Sequence, residues 1–417
     1  MDFLIGAATA AHQVEGNNIF SDYWVQENIK HSGFVEPSGM AVDHYNRYEE
    51  DIRIMKEAGL NAYRFSIEWA RIEPEEGKFS EKEIAHYRKV LECCICNGIT
   101  PIVTLHHFSS PAWLISRGGW TSEYVINVFA RYAQYVAKQL GDLFNYVCTI
   151  NEANMGFQIN KVAADMMKAK KSKEGDVQVG VNFDIKSLFL GMFEQAIKFK
   201  CSPFKINTFL NPRKQEQEKI VMRAHQAARA AINKVRSECK VGLTLSLFDY
   251  QPDQTGVDVA KQLWHDDFGF YLPYIKDDDF LGVQNYSRKI VTADGALEPG
   301  PGKAVTQMGY EDYPESIGHV VRMVARDYKG ELLVTENGIA TDDDSRRCEF
   351  IKTAVQSVLD CRKDGINVTG YMHWSLLDNF EWQAGFSKTF GLIAVDRSTQ
   401  TRYPKESIKV LGKINVL

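Results

Sequence analysis

Eight short apolar runs recur along the 417-residue chain, and six of them stop on polar or charged residues just before the chain turns. Glu331-Leu332-Leu333-Val334-Thr335 runs into Glu336, Asn337 and Gly338. Arg64 and Ser66 end the run from Asn61, His106 and His107 end Pro101 to Leu105, and Asn151 and Glu152 end Tyr146 to Ile150. Asn285 and Tyr286 end Phe280 to Gln284, and His373, Trp374 and Ser375 end Val368 to Met372. Phe3 to Ala7 and the continuous run Val241 to Leu247 complete the set. Near-continuous apolar strands of this kind belong to sheets covered on both faces. One polar strand end can be a rim charge or a helix cap; the same ending on six strands collects polar groups at one place.

Helical periodicity fills the gaps, over 43–58, 81–96, 122–140, 216–239, 314–326, 346–363 and 406–413. Strand and helix in alternation specify a parallel sheet with helical crossovers. Eight units favour a closed α/β (β/α)8 TIM barrel, with an open doubly wound sheet as the alternative. In the barrel all strand C-termini reach one face, where active sites sit. The gap between strands four and five is the longest, includes the basic segment Lys168, Lys170, Lys171 and Lys173, and reads as a helical insertion. Barrels of this size form single domains, so 1–417 is expected to be one catalytic unit. A Gly/Pro-rich stretch from Asp294 to Gly302 reads as surface loop.

Composition narrows the function. A net charge of −5 and a pI near 6.1 provide no basic field for nucleic acid. The N-terminal apolar run is broken by Gly6, Thr9 and His12, which fits neither a signal peptide nor a membrane span, so a cytoplasmic protein is expected. Eight cysteines without metal or redox spacing fit reduced packing residues. No glycine-rich phosphate loop follows the first strand, which argues against a dinucleotide or nucleotide enzyme.

Glu152 and Glu336 end strands four and seven, three steps apart around eight, so they face each other across one pocket. Two carboxyl groups flanking a pocket are what glycosidic cleavage requires: one protonates the leaving oxygen, the other attacks the anomeric carbon or activates water. Trp374 and Trp382, with Trp113 and Trp120, could face the C–H side of a pyranose. Gln13, His107, Asn151, Asn285 and Glu381 could bond its hydroxyls.

The residues that carry this chemistry also carry a resemblance. Phe3 to Gly16, Tyr63 to Arg71, Thr149-Ile150-Asn151-Glu152, Thr335-Glu336-Asn337-Gly338 and His373 to Trp382 resemble glycoside hydrolase family 1, the β-glucosidase and β-galactosidase group, from the first strand to the last helix. The resemblance implies a retaining β-glycosidase acting on a small β-glycoside or oligosaccharide, with no metal or organic cofactor. Glucose, galactose and fucose share this constellation; a β-glucosidase is expected first. In it Glu152 is the general acid/base and Glu336 the nucleophile, supported by Arg64, Tyr286 and Asn285. Gln13, His107, Asn151, Trp374, Glu381 and Trp382 fall on glycone-binding positions. A cation beside Glu336 is expected to lower its pKa and keep it ionised, and an ionised Glu381 to repel a 6-phosphate. A 6-phospho-β-glycosidase of the same family would have serine at position 381 and a tyrosine where Phe390 stands. A sugar-binding relative without turnover would have lost a carboxylate, and a sugar-phosphate isomerase would want a phosphate-gripping glycine loop. The chain departs from the family in Ala153, where proline is usual, in Ser287 after Tyr286, and in the stretch 162–168.

Overall fold

The apolar runs form eight parallel strands: β1 (Leu4–Ala8), β2 (Ala62–Ser66), β3 (Thr100–His106), β4 (Tyr146–Ile150), β5 (Lys240–Ser246), β6 (Phe280–Gln284), β7 (Glu331–Asn337) and β8 (Val368–Trp374). The computed structural model describes residues 3–161 and 185–414. Each strand pairs with its neighbour in the chain, and β1 pairs with both β2 and β8, so the sheet closes. At the seam Ala8 lies beside Trp374 on one side and beside Arg64 on the other. Closure gives the (β/α)8 barrel and removes both sheet edges, which rules out the open-sheet alternative.

The strand period of two sorts the side chains into two apolar clusters. Ala62, Ile102, Cys148, Phe280 and Leu333 pack together inside the barrel. The alternate residues Tyr63, Phe65, Val103, Val147 and Val334 join the larger core under the helices. Gly282 has a steric reason within the barrel, because a Cβ there would lie 2.6 Å from the Thr244 methyl and 2.9 Å from the Thr335 hydroxyl.

The outer helices are α1 (His44–Ala58), α2 (Glu81–Cys96), α3 (Tyr124–Leu140), α4 (Gln215–Asn233), α5 (Val257–Trp264), α6 (Ser316–Asp327), α7 (Asp344–Lys363) and α8 (Glu406–Gly412). Two differences from the periodicity stand out. Helix α4 stops at Asn233, six residues before the expected end; Cys239 instead directly precedes β5, with its thiol donating to the Phe144 carbonyl at 3.4 Å. Helix α5 has no counterpart among the sequence assignments. It is eight residues long and runs into a π turn, His265–Gly269, which breaks the 3.6-residue period.

The expected insertion holds the helix Ile185–Phe199 and a short 3-10 turn, Pro203–Lys205, between β4 and α4. The basic segment Lys168 to Lys173 and the divergent stretch 162–168 lie outside the described residues. The Gly/Pro-rich stretch supplies a two-residue strand, Gly295–Ala296, to a small sheet with Arg288–Thr292 and Asp249–Pro252. No helix among the described residues is long and apolar enough to cross a membrane. All eight cysteines are free.

The C-terminal hairpin, Ile393–Asp396 with Thr401–Pro404, is tied to α1 by a buried charge cluster. Arg402 donates to both carboxylate oxygens of Asp51 at 2.8 and 3.0 Å, and His44 lies 2.7 Å from the same carboxylate. Burial pushes the Asp51 carboxyl up, and the bonds from His44 and Arg402 more than offset it, so it sits below the ordinary value. A depressed carboxyl stabilises the fold above the unfolded pKa, and that contribution is lost as pH falls through the folded value. Asp51→Ala strands a buried guanidinium and is expected to cost about 3–5 kcal/mol in urea unfolding at neutral pH, with a smaller difference in acid.

Candidate active site

Glu336 is the sixth residue of β7, and its placement depends on a cation buried inside the barrel. Arg64, fully buried on β2, has every nitrogen engaged. Its Nε donates to Thr104 Oγ1 at 3.0 Å and its Nη1 to Glu336 Oε1 at 2.6 Å and to the Thr335 carbonyl at 3.2 Å. Its Nη2 donates to Asn151 Oδ1 at 2.6 Å. The other oxygen of Glu336 accepts from the Tyr286 hydroxyl at 2.7 Å. Charge-assisted bonds on both oxygens fix the carboxylate in position and orientation.

Burial pushes the Glu336 carboxyl up from the ordinary range, and Arg64 and Tyr286 pull it back without cancelling the rise. The expectation that the cation would leave this group low is therefore corrected: the charge that Arg64 supplies is spent largely against desolvation. The guanidinium itself is held charged, because Glu336 and its other partners together more than offset the burial that would lower it.

Glu152 follows β4 and has a backbone conformation that side-chain-bearing residues rarely adopt, with φ of 40°. Such a conformation costs about 1–3 kcal/mol and persists only where the surroundings impose it. Here β5 imposes it. The Glu152 N–H donates to Thr244 Oγ1 at 2.9 Å, and the Ala153 N–H donates to the Thr244 carbonyl at 3.0 Å. Proline at 153 could not make the second bond. The Glu152 carboxyl is pushed up to about 8, first by burial and then by the charge of Glu336, with the Ser246 hydroxyl and Arg64 opposing. Arg64 touches Glu336 directly and not Glu152, an asymmetry that favours the proton on Glu152.

A second group lines the pocket beyond Glu336. Gln13 Nε2 donates to the Phe380 carbonyl at 2.8 Å and to Glu381 Oε2 at 3.4 Å, and its Oε1 is buried without a hydrogen-bond partner. Asn151 joins the two groups, since its Nδ2 lies 3.1 Å from His107 Nε2 while its oxygen accepts from Arg64. His107 is stacked with Trp374 at 5.5 Å and with Trp382 at 6.2 Å between ring centroids. Glu381 is lifted to about 8 by burial and the charge of Glu336, with Gln13 and Lys388 opposing. Burial and the Glu336 charge thus favour the protonated form of Glu381 and weaken the fixed negative charge expected to oppose a 6-phosphate.

Other expectations are corrected by position. The Asn285 side chain does not reach Glu336; its Nδ2 donates to the carbonyls of Leu247 and Ser287, and its backbone N–H meets the Glu336 carbonyl at 3.3 Å. Asn285 thus shapes the turn that presents Tyr286. Trp113 and Trp120 face no pocket: both pack edge-on against the buried Trp69, and Trp120 donates to Ser110 at 2.9 Å. Two contributors went unmarked in the strand reading, Thr244 and Gln284. Gln284 Nε2 donates to Asn151 Oδ1 at 2.8 Å and to Thr244 Oγ1 at 3.2 Å. Their signal was a polar side chain within an otherwise apolar strand.

Comparison with known proteins agrees with this geometry. The model of glycosyl hydrolase family 1 matches residues 1–176 and 274–416. The 1,4-beta-D-glucan glucohydrolase of Thermotoga neapolitana is 31% identical, over 97% of this chain and 95% of that protein. Among solved structures, the beta-glycosidase BGL167 superposes with a TM-score of 0.89 at 42% identity, covering 99% of this chain and 95% of that one. The beta-glucosidase from Thermotoga maritima in complex with glucoimidazole gives a TM-score of 0.81 at 25% identity, covering 98% and 97%.

The electrostatic coupling of the two glutamates is directly measurable. In a carboxyl ¹³C NMR titration Glu152 is expected to change protonation near pH 8, and its midpoint to fall in Glu336→Gln, which removes the neighbouring charge. An unmoved midpoint would mean that burial alone sets the value.

Proposed function

Because the chain belongs to glycosyl hydrolase family 1, we propose that it is a retaining β-glucosidase acting on terminal unphosphorylated β-D-glucosides, with Glu336 as nucleophile and Glu152 as general acid/base. One observation carries the division of roles: Glu336 is clamped by a cation and a phenol, whereas Glu152 has no ion pair among the described residues and is pushed up by burial and the Glu336 charge.

In the first step a Glu336 oxygen attacks the anomeric carbon as the glycosidic C–O bond breaks, and Glu152 gives its proton to the departing oxygen. The glycosyl-enzyme ester removes the charge from Glu336, so one of the three causes that raise Glu152 disappears, leaving burial and Glu381. Glu152, now ionised, takes a proton from water as the water oxygen attacks the same carbon, and the ester bond breaks to restore Glu336. Net retention follows from two inversions. Gln13, with its unpartnered oxygen, and Glu381 are suited to the glycone hydroxyls, and Trp374 and Trp382 to its apolar face. A pocket for a 6-phosphate would need free donors at that end. Lys388 is engaged with the Gln307 carbonyl at 2.8 Å, and Phe390 has no hydroxyl. We read 1–417 as one catalytic unit working in the cytoplasm on small glycosides, in keeping with the free thiols.

Two variants test the roles. Glu336→Ala is expected to lose hydrolysis of every β-glycoside and, given azide and an activated β-glucoside, to form the α-glucosyl azide; wild-type-like turnover would remove the assignment. Glu152→Ala is expected to lose about 10²–10⁴-fold on substrates with basic leaving groups and far less on nitrophenyl glucosides. Equal losses on both would point to a structural role.

A further inference from the structure

A cavity of about 250 Å³ is lined by residues that follow β5 and β6, among them Phe248 and Ser287 to Ile290. Three connections tie it to the chemistry. Phe248, in its wall, lies two residues beyond Ser246, whose hydroxyl reaches Glu152. Ser287, also in its wall, follows Tyr286, which holds Glu336. Tyr310, on the opposite side, is pushed up to about 12 by burial and then by the charges of Glu152 and Glu381. These connections set the cavity next to the segments that hold Glu152 and Glu336.

The charges in its wall are not all matched. Arg288 is committed to Glu311 through two bonds, at 3.0 and 2.8 Å, and Lys303 lies 3.4 Å from the same carboxylate. Lys289 has no ion pair among the described residues; its Nζ lies 4.1 Å above the Phe248 ring. A surface lysine is ordinarily extended into water, where hydration is best. Here the ammonium is laid along an aromatic wall of a cavity. The remaining carboxylate of that wall, Glu298, is exposed and has no ion pair among the described residues. Phe248, Ile290 and Leu297 supply an apolar surface against which an aromatic ring can pack.

We propose that this cavity receives the aglycone and that Lys289 selects aromatic aglycones bearing a carboxylate, with the ring against Phe248 and the carboxylate paired to the ammonium. The inference rests on the β-glucosidase reading and adds the chemical class of its leaving group. Cleavage is the reaction already described: the phenolic oxygen takes the proton from Glu152, and the carboxylate remains unchanged.

The test compares 4-carboxyphenyl β-D-glucoside with 4-carbamoylphenyl β-D-glucoside, which differ in charge and hardly in shape. The ratio of their kcat/KM values is read in the wild type, Lys289→Gln and Lys289→Arg, so that intrinsic leaving-group differences cancel between proteins. The ratio is expected to fall about fivefold in Lys289→Gln, the upper range for a half-exposed ion pair, and to be retained in Lys289→Arg. In the wild type it should also fall as salt is raised, a readout that needs no variant. The same ratio in all three proteins, or one indifferent to salt, would overturn the proposal. Wild-type hydrolysis of 4-nitrophenyl β-D-glucoside separates the two readings: without it the glucosidase assignment fails, and with it an unchanged ratio removes only the role of Lys289.

Discussion

A guanidinium buried at the centre of a barrel is tolerable only when all its donors are met, and this one requirement organises the site. Arg64 reaches Thr104 on β3, Asn151 beyond β4 and Glu336 on β7 from its place on β2. The interactions that make the charge bearable also set the Glu336 carboxylate and the Asn151 amide at fixed positions. Gln284 and Thr244 extend the network to β5 and β6 through Asn151. A hydrogen-bond network this connected has few alternative arrangements, which is what a preorganised site needs.

Two like-charged groups in one buried pocket would ordinarily repel until one of them is neutral. The asymmetry between Glu152 and Glu336 comes from placing the cation against only one. Burial raises both carboxyls, and direct contact with Arg64 decides which of them keeps the charge. The left-handed backbone at Glu152 belongs to the same design. Thr244 holds it through a hydroxyl and a carbonyl, and the N–H of Ala153 completes the clasp where the usual proline of the family could not.

The barrel was legible because strand and helix periods alternate cleanly, and closure followed from the number of units. The polar strand ends were legible because they interrupt apolar runs. Thr244 and Gln284 were harder to see, since a single polar residue within a strand resembles a packing compromise until its partner on another strand is known. Trp113 and Trp120 were misplaced because an indole on a loop near a site looks alike whether it turns to the pocket or to the core. Trp69 captures both. Helix α5 escaped detection because eight residues leading into a π turn hold too little regular period to register.

By itself, the sequence determined the order of elements, the family and the two glutamates with their immediate companions, because these depend on residue type and local spacing. Tertiary structure decided the upward shift of the Glu336 and Glu381 carboxyls, the commitment of Asn285 to its own turn, and the placement of the Lys289 ammonium over the Phe248 ring. Each of these depends on burial and on partners far apart in the chain. Desolvation is a property of the whole pocket, and no local pattern records how much water a carboxyl has lost.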